Sequence, residues 1–242
     1  MDADWRYEPL SDVGKSLAES LRDFPREPHM WMYGARSAAA LALRGWLRVV
    51  QRLGVTGREN LPAEGSFVLV ANHSSHWDAL CLLSLLPLGR LHRAFPAAAA
   101  DYFFTDLPRS AVSAILVNAL PFDRRGRGRE SLALCRHVLE MPGHVLILFP
   151  EGTRSADGAL ADFKPGVGLV VAGTSIPVVP CHISGAYRSW PRDRVLPRPT
   201  RLSVVIGAAR RYPHVPEGKD GALVVAADLR QAVLDLEEKS NA

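Results

Sequence analysis

Apolar residues in this chain gather in short unbroken runs, and between the runs they recur every three or four positions. Val68–Ala71, preceded by the turn signal PAEG, reads as a buried strand ending at Asn72. Trp77–Leu86, dense in Leu and Ala, reads as a helix closed by Pro87 and Gly89. A second strand is expected near Leu91–Pro96, then a helix at Leu107–Val117 and a short extended piece at Ala119–Asp123. Leu132, Cys135, Val138 and Leu139 fall at helical spacing, which predicts a helix over Glu130–Glu140 that stops at MPG. The run HVLILFP at 144–150 is the clearest buried strand. Further strands are expected at Ile176–Ile183 and Leu202–Ile206, before a closing helix from Gly221 to Glu238. Alternation of this kind predicts a single α/β domain whose mostly parallel or mixed central sheet is flanked by helices.

The N-terminal part is patterned differently. Residues 1–36 form an appended segment without a clear place, and SAAALALRGWLRVVQRLG at 37–54 reads as an amphipathic helix. Arg44, Arg48 and Arg52 form one stripe, while Leu43, Trp46, Leu47, Val50 and Leu53 lie largely on the other side. That pattern fits a helix lying in a membrane interface and also one packed on its own domain. The expected division is therefore a helical segment, 1–53, ahead of a globular domain, 54–242. No stretch reaches the roughly 18–20 uncharged apolar residues that span a bilayer. The opening MDADWRYEPLSDVGKSLAES lacks a basic start and apolar core, so a cytoplasmic protein is expected.

Composition narrows the function classes only slightly. A chain of 242 residues with 48% hydrophobic content can bury one sizeable core. Its net charge of +4 suits phosphates or an anionic membrane surface. Nucleic acid is disfavoured, because zinc-finger spacing and RNP-like aromatics are absent and the arginines are scattered. Cys81, Cys135 and Cys181 are odd in number, widely spaced and set among apolar neighbours, so they read as reduced core thiols.

Candidate chemistry begins with NHSSHWD at 72–78. His73 and Asp78 are five apart, and on one continuous helix five steps of about 100° would separate them around the axis. They meet only if His73 lies in the loop before a helix and Asp78 in its first turn. A carboxylate on one imidazole nitrogen fixes the tautomer and leaves the other nitrogen free to take a proton, which makes a general base. Ser74 and Ser75 lack a GxSxG frame and read as helix caps. The HxxHxD spacing of His73, His76 and Asp78 differs from HExxH, so no metal site is expected. Taken alone, the block also fits a buried histidine satisfied by a neighbouring carboxylate.

FPEGTRS at 149–155 places Glu151, Gly152, Thr153 and Arg154 just after the strongest strand. A tight loop there offers main-chain N–H groups, a hydroxyl and a guanidinium fork, a phosphate cradle in outline. By itself the same segment fits a strand-end turn with a surface salt bridge between Glu151 and Arg154. Carboxyl ends of parallel strands converge on one crevice, so the two blocks are expected to share a cleft.

NHSSHWD resembles the NHxxxxD block of glycerolipid acyltransferases, the 1-acylglycerol-3-phosphate (lysophosphatidate) acyltransferase group. FPEGTRS is similar, nearly letter for letter, to that family's third block. LPFDR at 120–124 resembles the second block, IPVVP at 176–180 the fourth, and FKPG at 163–166 a further recurring piece. The resemblance implies an enzyme of lipid synthesis, an O-acyltransferase whose catalytic domain is 54–242. Such an enzyme moves a fatty acyl group from an acyl-CoA or acyl carrier protein thioester to a lysophospholipid hydroxyl, with 1-acylglycerol-3-phosphate as the leading acceptor.

On this resemblance His73 is the general base and Asp78 its orienter. Arg124 and Arg154 hold the acceptor phosphate, beside Gly152 and Thr153. Glu151 fixes a glycerol hydroxyl or the Arg154 fork, and Pro180 shapes the acyl or donor side. The N–H groups opening the helix after His73 are candidate oxyanion donors. The thioester is a co-substrate, and no cofactor or metal is implied. Lipid substrates imply a membrane surface as partner, reached by the helix at 37–54, with the protein at the inner face of the membrane. Arginines 188, 192, 194, 198 and 201 add attraction to headgroups or to CoA phosphates. His76 is expected to line the pocket or the surface, His137 and His144 to be solvated, and His182 to be a core residue. A hydrolase using the same histidine, and a non-catalytic lipid or carrier-protein binding module, remain as rivals.

Overall fold

The structure, a computed structural model, describes residues 30–99, 117–122 and 128–241. In chain order it runs α1 (Met30–Val49), β1 (Gly54–Thr56), a 3₁₀ turn (Arg58–Asn60), β2 (Phe67–Ala71), α2 (Trp77–Leu85) and α3 (Leu88–Leu91). β3 (Ala94–Ala99), β4 (Leu120–Phe122), α4 (Gly128–Glu140), β5 (Val145–Leu148) and α5 (Gly166–Val171) follow. The chain closes with β6 (Val178–Ser184), α6 (Ala186–Ser189), β7 (Ser203–Ile206) and α7 (Lys219–Asn241).

The strands form one sheet in the order β1-β7-β6-β2-β5-β3-β4. Neighbours pair in parallel from β6 through β2, β5 and β3 to β4, and again between β1 and β7. Only β6 and β7 pair antiparallel among the described strands, with Cys181 opposite Ile206. The mixed parallel sheet expected from the alternation of elements is the one formed.

Both faces of the sheet are covered, which explains why β2 is apolar at every position and wholly buried. Phe67, Leu69, Ala71, Val145, Ile147, Val179 and Cys181 turn to the side of α2 and Leu47 of α1. Val68, Val70, Leu146, Leu148 and Val178 turn to α4, α5 and α7 on the other side. On that second face α5 and α7 pack closely at Gly168, where a Cβ would meet the Ala222 carbonyl oxygen of α7 at 2.2 Å.

Differences from the sequence reading are local. The strand expected from Leu91 begins instead at Ala94, because the residues after Pro87 first complete the short helix α3. Of the helix expected at Leu107–Val117, residues 107–116 lie outside the described residues and Val117 is not helical; the end of the extended piece at Asp123 also lies outside them. The amphipathic helix starts earlier than 37 and ends at Val49, where Arg52 adopts φ 46° and the chain turns into β1. Its arginine stripe is not uniformly solvent-facing. Arg44 donates to the carbonyls of Ser84 and Leu86 at the end of α2, and Arg36 is buried with a bond to the Asn118 side chain at 3.3 Å. Meanwhile Trp31, Tyr33, Leu41, Trp46 and Val49 are exposed. The helix thus packs on its own domain through Leu47 and still shows apolar and aromatic side chains to solvent.

Candidate active site

β2, β5 and β6 end side by side, and the loops leaving them carry the chemistry. Asn72 closes β2 by bonding the Ile183 main chain twice, Nδ2 to the carbonyl at 2.9 Å and Oδ1 from the N–H at 2.8 Å. The next residue is held by the 151–155 loop on both sides: His73 N–H donates to Glu151 Oε1 at 2.6 Å, and His73 C=O accepts from Ser155 N–H at 2.7 Å. His73 therefore sits in a braced loop, and α2 begins only at Trp77.

This arrangement brings the five-apart pair together. His73 Nδ1 lies 2.8 Å from Asp78 Oδ2, and the same oxygen accepts the N–H groups of Ser74 and Ser75 at 2.7 Å each. The loop wraps around the carboxylate, which is wholly buried. A carboxylate can only accept, so Nδ1 carries the proton and Nε2 presents its lone pair. The imidazole lies flat on Phe149, ring centres 4.2 Å apart and planes 18° from parallel, and its side chain is 18% exposed, enough for a substrate to reach it.

Main-chain donors at the start of α2 are already engaged. Ser74 and Ser75 N–H serve Asp78, His76 N–H serves the Trp190 carbonyl at 3.3 Å, and Trp77 N–H serves Ser75 Oγ at 3.1 Å. The expected oxyanion donors at 74–77 are thus taken up in building the loop. Ser75 does not act as a simple cap either, since its hydroxyl donates on to the Trp190 carbonyl at 2.7 Å.

The FPEGTRS loop braces the site from the other side. Glu151 is buried, and both of its oxygens are engaged by main chain, Oε1 by His73 N–H and Oε2 by Ala161 N–H at 3.0 Å. Its carboxylate therefore turns inward to brace the loop and does not form a surface salt bridge. Burial raises its pKa above the ordinary carboxylate value, opposed by those two N–H bonds. Gly152 turns with φ 74°, and the Lys164 side chain lies so close that a Cβ there would sit 2.7 Å from Nζ. Thr153 is exposed on the same loop.

Arg154 Nη1 lies 2.9 and 2.8 Å from the two ring nitrogens of His76. A neutral imidazole offers one acceptor nitrogen to such a donor. Burial, and then the Arg154 charge, hold the His76 pKa below its ordinary value, while a bond to the main chain of Arg192 works the other way. Pro180 is buried in β6 opposite Val70 and packs toward Gly207 and Leu236, on the sheet face away from Cys181. Arg124 falls outside the described residues. Among the described residues no cluster of three His, Cys, Asp or Glu side chains is placed to hold a metal ion.

A family model described as Acyltransferase matches residues 52–184, more than half of the chain. The chain belongs to the acyltransferase family. Among curated relatives, this acyltransferase-family chain is 32% identical over 143 residues to the chloroplastic 1-acyl-sn-glycerol-3-phosphate acyltransferase LPAT1 of Arabidopsis thaliana, covering 58% of this chain and 38% of that protein. It is 26% identical over 203 residues to the 1-acyl-sn-glycerol-3-phosphate acyltransferase of Bacillus subtilis, covering 82% of this chain and 92% of that one. The chain spans well under half the length of the plant relatives LPAT1 of Arabidopsis thaliana and BAT2 of Brassica napus. In fold it resembles the 1-acyl-sn-glycerophosphate acyltransferase PlsC of Thermotoga maritima, with a TM-score of 0.65 at 24% identity over 85% of this chain and 79% of that one.

Of the residues singled out in the sequence of this acyltransferase-family member, the structure joins His73, Asp78, Glu151, Gly152 and Arg154 around two adjoining loops. Three further residues belong to the same constellation. Asn72 anchors the loop to β6, Lys164 lies over Gly152, and His76 meets Arg154. FKPG was a sequence signal for Lys164, and NHSSHWD contained the other two, but their partners are distant in the chain.

Proposed function

We propose that this chain transfers a fatty acyl group from a CoA or acyl carrier protein thioester to the free hydroxyl of 1-acylglycerol-3-phosphate, giving phosphatidic acid. The observation that carries the reading is the 2.8 Å bond between His73 Nδ1 and the buried Asp78 carboxylate, which leaves Nε2 as the proton acceptor. His73 takes the hydroxyl proton as the oxygen attacks the thioester carbonyl, and the new imidazolium is stabilised by Asp78. The tetrahedral intermediate then expels the thiolate, which receives the proton back from His73. The acceptor itself is the nucleophile, so the route has no acyl-enzyme. Relatives bearing the name 1-acyl-sn-glycerol-3-phosphate acyltransferase support this acceptor.

Arg154 and Lys164 flank the Gly152 turn and supply a guanidinium fork and an ammonium for the acceptor phosphate. The absence of a side chain at Gly152 makes room for the Lys164 side chain to lie against the loop. Lipid substrates require a surface, and the exposed Trp31, Leu41, Trp46 and Val49 of α1 suit docking of this helix in the interface at the inner face of the membrane. No helix of the described residues is long and apolar enough to cross a bilayer.

The test is a His73→Ala variant, assayed by mass spectrometry of products from a panel of lyso-lipids, with acyl-CoA and acyl carrier protein supplied separately. The chemical rate is expected to fall by about 100-fold or more with the fold retained. Free fatty acid released at the same rate with or without acceptor identifies a hydrolase instead. Unchanged turnover in the variant removes His73 from the chemistry.

A further inference from the structure

The segment between α6 and β7 is a stiff loop with an apolar tip. Its neck is closed by Arg198 N–H to the Ser189 carbonyl at 2.9 Å and by Ser189 Oγ to the Arg198 carbonyl at 2.7 Å. Inside, the Trp190 indole N–H reaches the carbonyls of Arg194 and Val195 at 3.0 and 3.2 Å. Prolines at 191, 197 and 199 add rigidity. On this frame Val195 and Leu196 stand 86% and 74% exposed, more than any other large apolar pair adjacent in the described chain. A loop held so firmly could turn those side chains inward, yet it presents them to water.

Charge and position identify what covers them. Arg188, Arg192, Arg194, Arg198 and Arg201 flank the tip in sequence, against a single acid between them, Asp193. The neck is tied to the end of α1, where Gln51 donates to the Arg198 carbonyl at 3.2 Å and accepts from Thr200 N–H at 3.0 Å. Two residues earlier in the chain Val49 is exposed, and Trp46 lies half exposed one turn before it. At its root the loop walls the catalytic site, because the Trp190 carbonyl receives Ser75 Oγ and His76 N–H and the Trp190 ring packs on His76 and Trp77.

We propose that residues 191–198 form a second membrane anchor, in which Val195 and Leu196 enter the interface of an anionic bilayer while the flanking arginines pair with its headgroups. The inference rests on the reading that the protein docks through α1, and adds that this chain grips the bilayer at two points with the catalytic mouth beside one of them. Apolar side chains entering lipid and nearby arginines drawn to an anionic leaflet are the two components of interfacial binding. An acidic carrier protein is the competing occupant, but two adjacent aliphatic side chains exposed at 86% and 74% suit insertion into lipid better than a charged contact alone.

The experiment uses the full chain with vesicles of phosphatidylcholine alone and of phosphatidylcholine mixed with phosphatidylglycerol. A Val195→Asp/Leu196→Asp variant is expected to partition onto the mixed vesicles about 10- to 100-fold more weakly. Its turnover of a short-chain, water-soluble lysophosphatidate should stay near that of the unmodified protein. Arg194→Gln with Arg198→Gln should lose about 5-fold in vesicle affinity per arginine, and only where phosphatidylglycerol is present. As a direct readout, Leu196→Cys is labelled with an environment-sensitive fluorophore. The three natural thiols are buried, with those at 135 and 181 pushed up to about 12, and do not compete for the label.

A blue shift on adding mixed vesicles is expected, and no shift overturns the proposal. It is equally overturned if the aspartate variant binds vesicles normally and loses only its turnover of acyl carrier protein thioesters. A Trp46→Asp/Val49→Asp variant run in parallel separates the two readings. If it abolishes binding while the loop variants do not, the second anchor alone fails. If the unmodified protein ignores both vesicles, the docking reading fails first.

Discussion

Replacing Asp78 by asparagine exchanges one oxygen for an NH₂ group at nearly constant volume, and the local geometry dictates which way the amide turns. Three donors converge on the position of Oδ2, namely His73 Nδ1 and the Ser74 and Ser75 N–H groups, whereas Oδ1 is buried without a hydrogen-bond partner. An NH₂ at the first position would face two main-chain donors, so the amide oxygen occupies it and the NH₂ takes the place of Oδ1. The His73 tautomer then survives, and what is lost is the negative charge that meets the imidazolium formed during proton transfer. With charge centres about 4 Å apart and an effective dielectric of about 20, that attraction is about 4 kcal/mol. Since it exists only once His73 is charged, it falls on kcat, as a loss of about a thousandfold. The assay follows thiol release from acyl-CoA in the presence of lysophosphatidate, with circular dichroism to check the fold. A kcat within tenfold of the unmodified enzyme, or a loss confined to KM, refutes this account of the pair.

Other predictions follow from the same geometry. Glu151→Gln sets an NH₂ against one of two main-chain N–H groups in a buried site, costing about 1–3 kcal/mol, and lowers kcat by loosening His73; a melt and a rate measured on the same sample check both. Lys164→Met should raise the acceptor KM about tenfold with little change in kcat, as for loss of a charged hydrogen bond present throughout the reaction. Gly168→Ala forces a methyl against the Ala222 main chain and should cost about 3 kcal/mol or more, roughly 6–12 °C in Tm for a chain of this size. Burial holds the pKa of His182, His76, His92 and His144 below the ordinary imidazole value. The unfolded chain therefore takes up those protons first, so stability is full above about pH 6.5 and falls as the pH drops below it, until each folded site is itself protonated. The slope approaches about 1.4 kcal/mol per pH unit for buried His182, with smaller shares from the solvent-screened others. Urea melts between about pH 7.5 and about pH 5.5 read it, and a constant midpoint across that range contradicts the assignment.

The sheet was readable because its strands are covered on both faces, so Phe67–Ala71 and Val145–Leu148 stand out as apolar runs without any need for tertiary information. The geometry of His73 and Asp78 was readable for a related reason, since only a loop-to-helix junction lets residues five apart meet. Legibility fails where a side chain's partner is set by long-range packing. Glu151 beside Arg154 suggests an ion pair, yet the carboxylate turns inward to His73 and Ala161, whose N–H groups no local pattern places there. The sequence did not show which sheet face Pro180 occupies; its ring lies beside Gly207, where a Cβ would meet it at 3.0 Å. Arg44 belongs to a polar stripe by periodicity, and only the docking of α1 on α2 reveals the carbonyls at Ser84 and Leu86 that it satisfies.

The paired bonds at His73, from Glu151 on one side and Ser155 on the other, fasten together two pieces of chain that lie 78 residues apart from 73 to 151. A chimera that took one piece from each of two homologues would keep a firm imidazole only if both parents built the clasp in the same way. Drift at position 151 is accordingly felt at position 73, and the two segments are expected to pass through descent as a single inherited part.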